Sequence, residues 1–211
     1  MISNNMSQYP EIELNYRNME PPFCWKDIFG NSAPVEIEVG FGKCGFLIHL
    51  AAQFPTINFL GIEKSRKYYQ KGLKKVQRAN LRNVKLLWGE AAHILQRYIQ
   101  DASVAMVYVN FPDPWPKKKH AKRRLLNADF AAIAVRKLVF DGCIEIATDI
   151  EAYAHEAMNV FDTCDEYEKL YYRTNGHAEP LRLSRTEYEE DFLRQGKTLH
   201  YAKYRKRCVS V

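Results

Sequence analysis

Between Val35 and about residue 161, short apolar runs alternate with stretches of helical length, and this alternation constrains the fold more than any other feature of the chain. Val35-Glu-Ile-Glu-Val39 runs into a glycine turn, Phe46 to Gln53 has the length of a short helix, and Asn58-Phe-Leu-Gly-Ile-Glu63 reads as a second strand. The pattern continues through a helix over about 65–79, a strand Val84–Trp88, a helix near 91–99 and a strand from Ser103 to Val109. A helix near 125–138, a strand Cys143–Ala147 and a helix from about 150 to 161 follow. Strands alternating with helices of this length predict parallel βαβ units in a doubly wound α/β sheet. The last part breaks the rhythm. Tyr167–Tyr172 and Leu199–Arg205 are aromatic-rich strands flanking a charged helix near 187–195, which predicts an antiparallel C-terminal addition to a mostly parallel sheet. Residues 1–33, polar and punctuated by Pro21-Pro22, read as an N-terminal arm, and 34–211 as one domain, because 211 residues suit one full core better than two.

Open α/β sheets bind ligands in the crevice outside the carboxyl ends of their strands, and five acids fall at such ends: Glu38, Glu63, Glu90, Asp113 and Asp149. Glu63, closing the second strand, is placed to accept hydrogen bonds from a ribose diol. Gly40 and Gly42 let the backbone approach a ligand closely beside a helix N-terminus, and no P-loop Lys-Ser/Thr pair accompanies them. Taken singly, these acids also suit helix caps or dipole partners, Asp149 and Glu90 most plainly. Together they point to a nucleoside-cofactor crevice.

Asp113 lies in Asn110-Phe-Pro-Asp-Pro-Trp-Pro116, directly before Lys117-Lys-Lys-His-Ala-Lys-Arg-Arg124. Pro112 and Pro114 fix φ and remove two donors, holding the loop open at a strand end; the bland alternative is a solvated proline turn with a basic face. Lys117, Lys118, Lys119, Lys122, Arg123 and Arg124 would supply phosphate contacts, which give affinity without sequence information. On the helix after Glu63, Lys67, Lys71, Lys74 and Arg78 form one stripe while Tyr69, Leu73 and Val76 form the opposite one. That stripe is either a nucleic-acid surface or a solvated face. Trp115 either stacks a base or packs the loop. The formal charge of +6 biases the partners towards polyanions.

These residues carry a family resemblance. Glu38-x-Gly40-x-Gly42, Gly61-Ile-Glu63, Asn110-Phe-Pro-Asp-Pro-Trp-Pro-Lys117 with His120-x-Lys-Arg-Arg124, Ala147-Thr-Asp149 and Thr186-Glu-Tyr-Glu189 resemble, in order, the motifs of bacterial tRNA (guanine-N7)-methyltransferases. The resemblance spans about 35–205, and its specificity comes from the Phe-Pro-Asp-Pro-Trp-Pro-Lys segment. It implies a Rossmann-like class I fold that uses S-adenosylmethionine, with Glu38, Gly40, Gly42, Glu63, Glu90 and Asp113 at the cofactor site and Asp113 also catalytic. It further implies that Lys117, Asp149, Thr186, Glu187, Tyr188 and Glu189 face a tRNA, whose usual target is the variable-loop guanine at position 46. The chain departs from the family pattern twice, with Cys44 in place of a third glycine and Glu90 in place of Asp. Thr186-x-x-Glu189 is at the same time a capping box, and the two roles are compatible.

Two alternatives stand beside this reading: an exocyclic amino methyltransferase, since Asp-Pro-Trp resembles the loop of such enzymes, and a non-catalytic RNA-binding module. No apolar run approaches the roughly 20 residues of a membrane span, and no signal-peptide pattern opens the chain, so a cytoplasmic protein is expected. The cysteines at 24, 44, 143, 164 and 208 form no C-x-x-C pair and the histidines no H-x-x-x-H pair, so no metal is expected. Both a monomer and a homodimer fit the sequence.

Overall fold

The computed structural model describes residues 8–115, 122–175 and 186–207. Four apolar runs begin the parallel part of the sheet: β1 (Val35–Val39), β2 (Asn58–Glu63), β3 (Val84–Trp88) and β4 (Val104–Asn110). All six residues of β2 are buried, as a run covered on both faces requires. The connecting helices are α2 (Gly45–Gln53), α3 (Arg66–Arg78) and α4 (Ala91–Tyr98), after a short α1 (Trp25–Phe29) ahead of the sheet. Next come α5 (Ala128–Lys137), β5 (Leu138–Thr148), α6 (Glu151–Asp162), β6 (Tyr167–Asn175), α7 (Glu187–Arg194) and β7 (Leu199–Lys206).

The strands lie in the order β3-β2-β1-β4-β5-β7-β6, with β7 antiparallel to both neighbours and the other pairings parallel. The chain winds outward from β1 in one direction through β2 and β3, then returns to β1's other side with β4. The topological switch point therefore lies between β1 and β4, where a crevice opens beyond the strand ends. Leu47, Leu50, Leu73 and Val76 of α2 and α3 belong to one buried cluster; Ile94, Phe130, Val135 and Phe161 of α4, α5 and α6 belong to another. On α3, Tyr69, Leu73 and Val76 are buried while Lys67, Lys71, Lys74 and Arg78 are exposed, as the stripe pattern predicts.

Among the boundaries that differ from expectation, two have a visible cause. Helix α5 begins at Ala128 because the Asn127 side chain caps it by accepting the Phe130 N–H at 2.9 Å. Strand β5 begins at Leu138, five residues before Cys143, because its ladder with β4 resumes after an irregularity between Val104 and Met106. The described part of the arm packs against the domain. Leu14 N–H donates to Leu86 O at 2.9 Å and Leu86 N–H to Ile12 O at 2.8 Å, so this segment covers the open edge of β3. Ile12 and Leu14 are buried there, and Phe23 is buried further along the arm, where its N–H donates to Tyr98 O at 2.7 Å.

Candidate active site

The turn after β1 is built on left-handed backbone. Gly40, Gly42 and Cys44 have φ of 73°, 48° and 61°. Only glycine takes such angles without penalty, so Cys44 carries a strain of roughly 1–2 kcal/mol that a glycine would not. Its side chain is fully buried in the α2–α3 core, where apolar packing offsets that cost. Burial also pushes its thiol well above the ordinary range, with the Glu38 charge acting in the same direction.

Glu63 anchors the turn from the end of β2. Its carboxylate accepts the Gly42 N–H at 2.9 Å and the Ser65 N–H at 2.7 Å, leaving further lone pairs for a ligand. Glu38 is buried one strand over in β1 and accepts from Asn110 Nδ2 at 3.0 Å, a bond that ties the ends of β1 and β4 together across the switch point. Glu90 occupies the N-cap position of α4, yet its exposed side chain makes no capping bond. Asp149 also makes no cap: Ile150 holds the N-cap position of α6, and Asp149 pairs with Lys197 at 2.6 Å.

Asp113 is 62% exposed and pairs with Lys64 Nζ at 2.9 Å. Lys64 directly follows Glu63, so the pair spans the crevice between the ends of β2 and β4. Sequence reasoning missed Lys64, although a row of strand-end carboxylates calls for a counter-charge. Lys117 lies outside the described residues, as do Lys118, Lys119 and His120. Of the basic run, Lys122 and Arg123 are exposed, and the Arg123 guanidinium sits 5.0 Å from the Trp115 ring centre. Arg124 differs from its expected role as a phosphate contact: its side chain is only 18% exposed and is engaged by the protein itself.

Helix α7 closes the site from above the glycine turn. Thr186 Oγ1 accepts the Glu189 N–H and Glu189 Oε2 accepts the Thr186 N–H, each at 2.9 Å, which completes the capping box. Glu189, 1% exposed, also accepts from the Tyr201 hydroxyl of β7 at 2.6 Å, docking the helix start on the sheet. Glu187 bridges Lys75 at 2.6 Å and Lys43 at 3.6 Å, and the Lys75 bond holds its carboxyl below the ordinary range. Tyr188 lies over the turn: a Cβ added at Gly42 would stand 3.3 Å from its ring. Burial, then the bond to the Tyr68 hydroxyl, pushes the Tyr188 phenol up to about 12.

A cavity of about 970 Å³ brings these parts together, lined among others by Gly40, Glu63, Glu90, Asp113, Asp149 and Tyr188. Thr186, Glu187, Glu189, Glu38 and Gly42 stand behind that lining and support it through the bonds just described. Tyr68, Phe111 and Phe192 also line the cavity and add apolar and aromatic surface; of these only Phe111 belongs to a sequence motif. Its size suits a nucleoside cofactor together with part of a substrate. The ribose-ready carboxylate, the uncommitted Glu90 and the close backbone approach at Gly40 fit S-adenosylmethionine. Among the described residues, no group of three or more His, Cys, Asp or Glu side chains is placed to hold a metal ion, and no helix is long and apolar enough to cross a membrane.

The strand order, the glycine turn and the strand-end acids define the class I methyltransferase fold. The antibiotic-resistance methyltransferase Kmr shares it, with a TM-score of 0.60 at 13% identity over 88% of this chain and 92% of that one. The family described as "Putative methyltransferase" matches residues 32–202. The tRNA (guanine-N(7)-)-methyltransferase of Limosilactobacillus reuteri is 36% identical over 179 residues, 83% of each chain. That of Thermotoga maritima is 38% identical over 188 residues, 89% of this chain, which spans 59% of the relative's length. The chain belongs to the tRNA (guanine-N(7)-)-methyltransferase family.

Proposed function

We propose that the protein transfers a methyl group from S-adenosylmethionine to N7 of a guanine in tRNA, the target being the variable-loop guanine at position 46. The observation that carries this reading is one cavity with Gly40, Glu63 and Glu90 on the β2–β3 side of the switch point and Asp113 and Asp149 on the β4–β5 side. Family membership supports the chemistry. S-adenosylmethionine, when bound, supplies an electrophilic methyl group on a sulfonium.

The chain's own residues then bind and orient. Glu63 accepts from the ribose hydroxyls through lone pairs left free by Gly42 and Ser65, while Gly40 and Glu90 line the rest of the nucleoside side. Glu38 fixes Asn110 and so the start of the loop that carries Asp113. Guanine N7 is an acceptor without a proton, so transfer needs alignment more than a base. Asp113 accepts from guanine N1–H and the N2 amine, holds the ring, and favours the cationic product. Lys117, Lys118, Lys119, Lys122 and Arg123 meet phosphates, and Asp149 with Tyr188, held in place by the Thr186–Glu189 capping box, completes the tRNA side.

Incubation with labelled S-adenosylmethionine and unmodified tRNA, followed by nucleoside analysis, is expected to yield 7-methylguanosine. A tRNA carrying 7-deazaguanine at the target keeps N1–H and the N2 amine but offers a C–H at the reacting position, so it should bind and stay unmethylated. Methylation of that tRNA at the target would overturn the N7 reading in favour of exocyclic amine transfer.

A further inference from the structure

The loop leaving β4 holds Asp113 between two residues of left-handed backbone, Phe111 at φ 49° and Trp115 at φ 42°. Neither is glycine, and each costs roughly 1–2 kcal/mol in that conformation. Pro112 and Pro114 have no N–H to bond the loop to itself. Such backbone persists only when its surroundings hold it. On the upstream side the Phe111 N–H donates to Ala147 O at 2.8 Å.

On the downstream side the holding group is Arg124. Its Nε donates to Pro114 O at 2.8 Å and its Nη2 to Trp115 O at 3.2 Å, so one guanidinium binds both carbonyls that follow Asp113. Its Nη1 pairs with Glu156 of α6, and its plane lies 5.7 Å from the centre of the Tyr153 ring, one turn earlier on the same helix. The Tyr153 hydroxyl accepts the Leu126 N–H at 3.3 Å, which fixes the chain just beyond Arg124. All three guanidinium nitrogens are thus committed within the protein. Adjacent Arg123 is exposed over Trp115, so two neighbouring arginines of one basic run divide into an outward and an inward cation.

We infer that Arg124, seated on Glu156 and Tyr153, is a positioning residue for Asp113: it fixes the loop carbonyls and thereby the direction of the carboxylate, and it contacts neither tRNA nor cofactor. The inference rests on Asp113 being the residue that orients guanine. It explains why a guanidinium is needed here. Three partners in different directions require a planar fork, which the single nitrogen of lysine does not provide. It also makes α6 the common support of both substrate-side acids, because Asp149 lies just before the helix and Glu156 points its anchor at the loop.

The test uses R124Q, R124K and E156Q in the full chain. R124Q and E156Q are expected to lower kcat, with misalignment of the kind that costs up to about 100-fold, while KM for tRNA and the calorimetric affinity for S-adenosylmethionine stay near wild type. R124K should resemble R124Q despite keeping the charge. E156Q is the decisive variant, because it is nearly isosteric and removes a negative charge. If Arg124 were a phosphate contact, E156Q would tighten tRNA binding and leave kcat intact. That result overturns the proposal, as does an R124Q whose loss lies wholly in tRNA affinity with a salt slope reduced by about 0.7–0.9. Should R124Q fail to fold, E156Q carries the kinetic test alone. Amide exchange at Leu126 reads the clamp without reference to catalysis and is expected to rise in E156Q; unchanged protection would also overturn it. A wild-type protein that moved no methyl group to tRNA would defeat the functional reading, whereas wild-type kcat in E156Q would defeat only the clamp.

Discussion

Two residues of the site show how position sets what a side chain can do. Asp113 stands exposed at the crevice mouth, so its carboxylate is free to exchange Lys64 for donors on a base. Asp113→Asn swaps an acceptor-only anion for a neutral amide of the same shape, and is expected to abolish most methyl transfer with the melting temperature kept, measured as single-turnover rate beside thermal unfolding. A near-wild-type rate would end the catalytic assignment. Cys44 is the opposite case. Its raised thiol, buried beneath the turn, holds almost no thiolate at neutral pH, whereas Cys24 is exposed. A thiol reagent on the native protein should label Cys24 rapidly and Cys44 only after unfolding, and peptide mapping of the labelled chain checks this. Rapid native labelling at Cys44 would mean that the glycine turn opens often.

At the scale of elements, legibility in the sequence follows the range of the interactions that decide each one. Strands β1 to β4 and helices α2 to α4 announce themselves because burial on both sheet faces and one-sided helix packing leave periodic patterns. The placing of the acids at or just beyond the strand ends was legible for the same reason, since a strand whose end is correctly bounded locates the residues next to it. The start of α5 was not, because a single local polar bond, the Asn127 cap, decides it. The docking of the arm on β3 rests on backbone bonds and two apolar residues, Ile12 and Leu14, and no period signals that. The place of α7 over the glycine turn was equally hidden, because Glu187 meets Lys43 and Lys75 from more than a hundred positions away. Its capping box, by contrast, was readable. Thr186→Ala removes the acceptor for the Glu189 N–H and should destabilise the protein by about 1 kcal/mol, read as a lower denaturation midpoint, with cofactor affinity falling as Tyr188 loosens over Gly42. The Glu187 strap has a definite pH sense. Its folded carboxyl is held low, so the strap is fully present above the ordinary value of 4.5 and is lost as pH falls through the depressed one.

For the whole molecule the question is how a chain of +6 net charge presents that charge to a polyanion. Two basic regions are exposed: Lys122 and Arg123, which line the cavity beside Asp113, and the α3 stripe of Lys67, Lys71, Lys74 and Arg78, which lies outside the cavity lining. Electrostatics at such distances acts on affinity and on encounter rate more than on the chemical step. The two regions therefore make separable predictions. Replacing Lys122 and Arg123 with Gln should weaken tRNA binding and lower the logarithmic salt slope by roughly 0.7–0.9 per lost phosphate contact. Replacing Lys67, Lys71 and Lys74 with Gln should do the same only if tRNA extends from the crevice across α3; if that stripe is merely solvated, affinity and slope both stay put. Filter binding over a range of salt concentrations measures the two slopes independently of turnover. An unchanged slope in the first variant would be the more damaging result, because it would leave the charge next to Asp113 without a partner and remove the physical reason for placing a nucleic acid at this cavity.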